Sequence, residues 1–180
     1  MSIRKILGIS IVLLAALPMA LSALPSGYGK VKLGMGVDEV KEALKKDHQF
    51  GYRGDRDVSL SPKDHETVIE TDPTTYASFS FFDRCWFQFS DEKLSVITLS
   101  MNMDMIDHYA IFSELCEKYG NPVEISPKKS VWKSDTVTLS LEKPLIIKYV
   151  DAKVFKDKQD ASKVEKTTSE KAKDEFLKGL

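Results

Sequence analysis

Three histidines, two cysteines and a scatter of carboxylates are the groups in this 180-residue chain with the chemistry to ligate a metal, move a proton or attack a substrate. Their spacing gathers none of them. His48, His65 and His108 fall at a helix end, in a polar loop and at a helix start, so no two sit on one element at metal-ligand spacing. Two cysteines are too few for a four-thiolate zinc site. The acid pairs Asp38/Glu39, Asp91/Glu92 and Asp174/Glu175 fall at a helix start, in a turn and in a charged tail, where solvated structural roles account for them. A Gly-rich phosphate loop and a Gly-x-Ser-x-Gly elbow are both missing. No catalytic residue, metal or cofactor is therefore expected. The rival reading is a hydrolase without a recognisable motif, using Asp83 or Asp55 with a histidine.

Two further groups could recognise a partner. Arg53–Gly54–Asp55 is an integrin-type adhesion tripeptide set in a loop, although Gly-Asp is also an ordinary turn pair. On the stretch Cys85 to Phe89 a period of two sends Cys85, Phe87 and Phe89 to one face and Arg84, Trp86 and Gln88 to the other. An aromatic flanked by an arginine is the composition of binding hot spots, so Arg84, Trp86 and Gln88 are the candidate partner-binding residues. Trp132 reads as sheet core. Cys85 and Cys116 both face the layer between helix and sheet, where they either pair or remain two buried free thiols.

The elements that place these groups are short. After a Pro/Gly-containing lead-in (24–32), Gly34–Met35–Gly36–Val37–Asp38–Glu39 starts a helix over about 37–46, with Val37, Val40 and Leu44 on one stripe. Gln49 to Asp57 is a Gly-punctuated loop, and extended segments follow at 58–61, 67–71 and 76–82. A hairpin runs from Cys85 to Leu99 around the polar turn Ser90–Lys93; a two-residue loop would set Ile97 beside Trp86, a three-residue loop Thr98. Asp104 is the expected cap of a second helix carrying Tyr109, Phe112, Cys116 and Tyr119, stopped by Gly120–Asn121–Pro122. Four strands, at 123–126, 130–133, 136–142 and 145–150, complete the pattern. The expected fold is α+β: two helix-then-antiparallel-strands units, about 33–102 and 103–150, forming one sheet with helices on one face of a single domain.

The ends differ from this domain. Arg4 and Lys5, the apolar run Ile6 to Leu17 and the small residues Ala20, Ser22 and Ala23 are ordered as in a secretory signal, with cleavage expected after Ser22 or Ala23. That run is short of the roughly 20 residues a spanning helix needs, and no later segment is apolar enough to cross a bilayer as a helix. Without the signal, 24 basic residues face 27 acidic ones, a net charge of −3, which gives no basic surface for nucleic acid. From Asp151 onward eight lysines and seven acids dominate, and residues 151–180 read as a flexible or partly helical tail. The expected location is periplasmic or secreted.

The short helix after Gly–Met–Gly–Val–Asp–Glu–Val, followed by antiparallel strands with an Asp91–Glu92–Lys93–Leu94 turn, resembles the SmpA/OmlA (BamE) family. The doubled unit, with Ile106–Pro122 and Trp132–Tyr149 as its second half, is similar to the β-lactamase inhibitor protein architecture. The chain also resembles exported bacterial proteins of no established activity. The resemblance implies a non-catalytic protein-binding module of the bacterial cell envelope, without the lipid-attachment cysteine of the outer-membrane assembly family. The alternatives are the envelope hydrolase above and a surface adhesion protein using Arg53–Gly54–Asp55.

Overall fold

The computed structural model describes residues 23–60, 66–154, 156, 157 and 176–178. The expected signal segment, except Ala23, His65 and most of the expected tail lie outside the described residues.

Among the described residues ten strands and three α-helices follow one another. The first of them form a hairpin, β1 (Gly27–Tyr28) and β2 (Val31–Lys32), within the expected Pro/Gly-containing lead-in. Helix α1 (Val37–Lys45) begins where Glu39 Oε2 accepts from the Gly36 N–H at 2.7 Å, satisfying one of the donors a helix start leaves open. Its buried residues are Val40, Ala43 and Leu44. Strands β3 (Val58–Leu60) and β4 (Thr67–Thr71) follow. Of the expected extended segment at 76–82 only Phe82 is in a strand; Tyr76 instead ends a four-residue helix, α2 (Pro73–Tyr76), because Asp72 caps it and Pro73 supplies a pre-set first position.

Strands β5 (Phe82–Ser90) and β6 (Lys93–Met101) form the central hairpin. Its loop has two residues, Asp91 and Glu92, both with positive φ (50° and 59°). A bulge at Ser95 then adds one residue to β6, so that Trp86 pairs with Thr98 and Ile97 turns inward at 0 % exposure. The short loop and the register of the longer one thus coexist through the bulge.

Helix α3 (His108–Tyr119) is capped by Asp107, whose Oδ1 accepts from Ala110 N–H at 2.8 Å, not by Asp104. The chain between Asn102 and Asp107 is a turn, with Asn102 O accepting from the N–H groups of Met105 and Ile106. Phe112, Cys116 and Tyr119 of the expected stripe pack half-buried against the core beside the buried Ile111 and Leu115, while Tyr109 is 77 % exposed. Gly120 ends α3 as expected. Strands β7 (Glu124–Ile125), β8 (Lys129–Lys133), β9 (Val137–Glu142) and β10 (Ile146–Asp151) close the domain. Serines hold two of their turns: Ser126 Oγ accepts from Lys129 N–H and Ser134 Oγ from Val137 N–H.

The expected α+β architecture of two helix-then-strands units with a helical face is not the fold. The molecule is mostly antiparallel sheet, an eight-stranded sheet in the order β3-β4-β5-β6-β10-β9-β8-β7 beside the two-stranded β1–β2 sheet. The physical reason lies in the core's membership. Strands supply most of it, including Phe82, Phe87, Phe89, Ile97, Leu99, Leu139 and Leu141, and the helices add few fully buried side chains. What closes the core is a patchwork of α1, α3, the β1–β2 hairpin and the 3-10 turn His48–Phe50, whose Phe50 ring stacks 5.3 Å from Phe82. The sequence places two helices in the right stretches; it does not make them a layer.

Candidate binding site on the sheet face

The register of the eight-stranded sheet lines up a row of side chains on the face away from that core. Successive pairings run Glu70–Trp86, Trp86–Thr98, Thr98–Lys148, Lys148–Ser140, Ser140–Val131 and Val131–Glu124. The row beside it runs Gln88–Val96, Val96–Val150, Val150–Thr138 and Thr138–Lys133. Because side chains alternate along each strand, these residues share one face. All of them but Glu70 line a cavity of ≈ 510 Å³ that takes in Trp86 and Gln88 of β5 together with Glu124 of β7. In a flat sheet strands about 4.8 Å apart would hold β5 and β7 roughly 24 Å from each other. One cavity touching both means that the sheet curls into a trough.

The trough floor is made of small and β-branched groups. Val96, Val131, Thr138 and Ser140 are buried, and Thr98 and Val150 are half-buried. Charge is kept to the middle and the far wall. Lys148 Nζ lies 3.6 Å from Glu142 Oε2, Ser140 Oγ donates to Glu142 Oε1 at 2.8 Å, and Lys129 pairs with Glu124 at 3.3 Å. Lys133 makes no ion pair among the described residues. Half-buried Trp86 forms the near wall. The trough therefore offers an aromatic flank, a floor of methyl groups and hydroxyls, and lysines opposite.

Of the candidates from the sequence, Trp86 and Gln88 line this cavity, and Arg84 does not. Arg84 stands on the same face one row along, pairing with Glu70 at 3.0 Å and approaching Asp72 at 3.9 Å. The adhesion-type loop is tied inward. Arg53 Nε donates to Asp57 Oδ1 at 2.7 Å, its guanidinium lies 4.1 Å over the Tyr76 ring, and Asp55 pairs with Lys41 at 3.0 Å. The bond to Asp57 raises the Arg53 pKa, and Lys41 holds the Asp55 carboxyl below the usual range. Both charges an adhesion receptor would read already have partners.

Catalytic groups are not brought together. Asp55 and Asp83 make no hydrogen bond or ion pair with a histidine among the described residues, and no group of three His, Cys, Asp or Glu there could hold a metal. Cys85 and Cys116 are free thiols. Cys85 is fully buried, and that burial pushes its thiol far above its ordinary value; burial also raises Cys116. Trp132 is core as expected, and its Nε1–H donates to Gly120 O at 2.7 Å, tying β8 to the end of α3.

Sequence reasoning missed the far half of the trough. Its signal was present in Val137–Thr138–Leu139–Ser140–Leu141–Glu142, where Thr138, Ser140 and Glu142 alternate with core residues. What it lacked was the pairing of β10 with β6, which puts that face beside Trp86.

Fold and site together define an antiparallel β-sheet domain with an open trough on the face opposite its core. The chain belongs to the TP0088 domain family, whose family model matches residues 26–161. No curated protein and no solved structure matches it.

Proposed function

We propose that this protein is an exported, non-catalytic protein-binding module of the bacterial cell envelope, and that it holds a segment of its partner in the sheet trough. The observation that carries the reading is the cross-strand row from Trp86 to Glu124, with Trp86 in the near wall of a cavity whose lining residues all come from the sheet itself. A half-buried tryptophan beside a floor of valine, threonine and serine gives a partner both an apolar anchor and hydroxyls to bond. The likeness of Gly34–Leu44 and Phe87–Ile97 to the SmpA/OmlA (BamE) family, whose members bind other envelope proteins, supports the same reading. So does the signal-like order of Met1 to Ala23. Among the described residues no helix is long and apolar enough to cross a membrane.

The test uses the protein as bait in envelope extract, with variants Trp86→Ala and Thr138→Arg checked for an unchanged circular dichroism spectrum. Loss of a hot-spot tryptophan costs about 2 kcal/mol, roughly thirtyfold in affinity, so both variants are expected to lose the partner that wild type retains. Recovery of the same partner by both folded variants would place the binding surface elsewhere.

A further inference from the structure

A second concavity lies on the core side of the sheet, between the β1–β2 hairpin and α3. Its volume is ≈ 580 Å³, within the few hundred to about 1,000 Å³ of small-molecule sites. Ile111 and Leu115 of α3 and Ile147 of β10 give it apolar walls. Three phenols line it: Tyr28 from the hairpin, Tyr119 from the last turn of α3 and Tyr149 from β10. The Tyr28 ring is fixed edge-on against Phe82 at 5.1 Å and Phe50 at 6.2 Å, so its position is set by the core.

Tyr149 is the informative member. It is 5 % exposed and belongs to the core cluster, yet its hydroxyl makes no hydrogen bond among the described residues. Buried phenols almost always find a partner. The Tyr149 oxygen is not sealed from solvent, unlike the unpartnered Tyr52 Oη and Thr71 Oγ1, and Tyr119 and Tyr28, which line the same cleft, act on it electrostatically. Burial raises the Tyr149 pKa, which keeps it a protonated donor. The charged side chains lining the cleft are Lys32, Lys118 and Glu114. Lys118 and Glu114 neutralise each other at 2.7 Å. Lys32 has no ion-pair partner among the described residues, and Asp47 lies near the hairpin turn.

We infer that this cleft is a binding site for a small amphiphile with an apolar body and a single anionic head, of the fatty-acid class. The apolar walls and tyrosine rings take the body, and the three hydroxyls with Lys32 take the head. The site is separate from the trough, since the two share no lining residue.

The probe is dodecanoate, titrated by calorimetry below its micelle-forming concentration into the chain purified from its host. Saturable one-to-one binding is expected. Ala110→Trp, which fills the cleft from an exposed position on α3, should weaken it more than tenfold with an unchanged circular dichroism spectrum. Tyr149→Phe, which keeps the ring, should weaken it severalfold, the worth of one hydrogen bond. Lys32→Gln should weaken dodecanoate and leave dodecanol binding within twofold. Trp86→Ala should bind dodecanoate as wild type does, whatever becomes of partner capture. Absence of saturable binding, or equal binding by wild type, Ala110→Trp and Tyr149→Phe, overturns the site; equal weakening of dodecanoate and dodecanol by Lys32→Gln overturns the anionic head.

Discussion

Asp72 joins the end of β4 to the start of α2. Its carboxylate accepts from Thr75 N–H at 3.2 Å, Thr74 Oγ1 at 2.7 Å and Thr75 Oγ1 at 3.1 Å, and Arg84 lies nearby. The Thr74 bond, then those from Thr75, holds its pKa below the ordinary carboxylate value. A lowered folded pKa contributes stability that is present above the unfolded value and lost as pH falls through the folded one. Asp72→Asn keeps a capping oxygen and removes the charge, so the expected outcome is a midpoint below wild type near pH 7 that converges with wild type on acidification below about pH 4, where wild type loses the same contribution. Asp72→Ala should cost about 1 kcal/mol at neutral pH by losing the cap. Thermal melts of the three proteins at pH 7 and pH 3 check both. The residue types around Asp72 were readable as a turn, Asp-Pro followed by two threonines. The short helix was not, because four residues carry no periodicity.

The β5–β6 hairpin carries a local conflict between residue and conformation. Asp91 and Glu92 both adopt positive φ, the geometry that two-residue hairpin loops favour because its twist matches that of the strands. Asparagine and glycine fit that geometry; a glutamate there carries a left-handed penalty of roughly 1 kcal/mol. The double variant Asp91→Asn, Glu92→Gly should therefore raise stability by about 1 kcal/mol in urea denaturation at unchanged m. A loss of stability instead would mean that the acidic side chains themselves hold the turn. The same hairpin shows how an element is underdetermined by its own residues. The alternation of β5 was legible, and Arg84, Trp86 and Gln88 do oppose Cys85, Phe87 and Phe89. The partner of Trp86 depended on the Ser95 bulge, held where Ser95 Oγ donates to Gln88 O at 3.1 Å and meets Ser90 Oγ at 3.1 Å. Nothing in the run Leu94–Leu99 marks a bulge, because Ser95 is as acceptable in a regular strand.

At the scale of the molecule the two stretches 33–102 and 103–150 are joined where their last strands meet: β6 and β10 pair from Ser100–Ile146 to Val96–Val150. One core cluster spans both, from Val31 and Val40 to Leu141 and Tyr149. They should unfold as one unit, with superposable far- and near-ultraviolet circular dichroism melts and a calorimetric enthalpy equal to the van't Hoff value. Two separated transitions would show that each half holds a core of its own. The sequence by itself determined the stretches of most strands from Val58 onward, the inward and outward parity of β5 and the positions of α1 and the end of α3, since each rests on residues within a few positions of one another. Tertiary structure alone decided the sheet order, and with it the trough and the tyrosine cleft. Trp86 and Ser140 line one trough, and Tyr28 and Tyr149 one cleft, only because β10 inserts between β6 and β9 and the first hairpin packs into the same core as α3. Local periodicity fixes which way a side chain faces, but which strands become neighbours is settled by the joint burial of Phe87, Ile97, Leu139 and Tyr149, residues spread over more than about sixty positions whose cooperation leaves no mark on any one stretch.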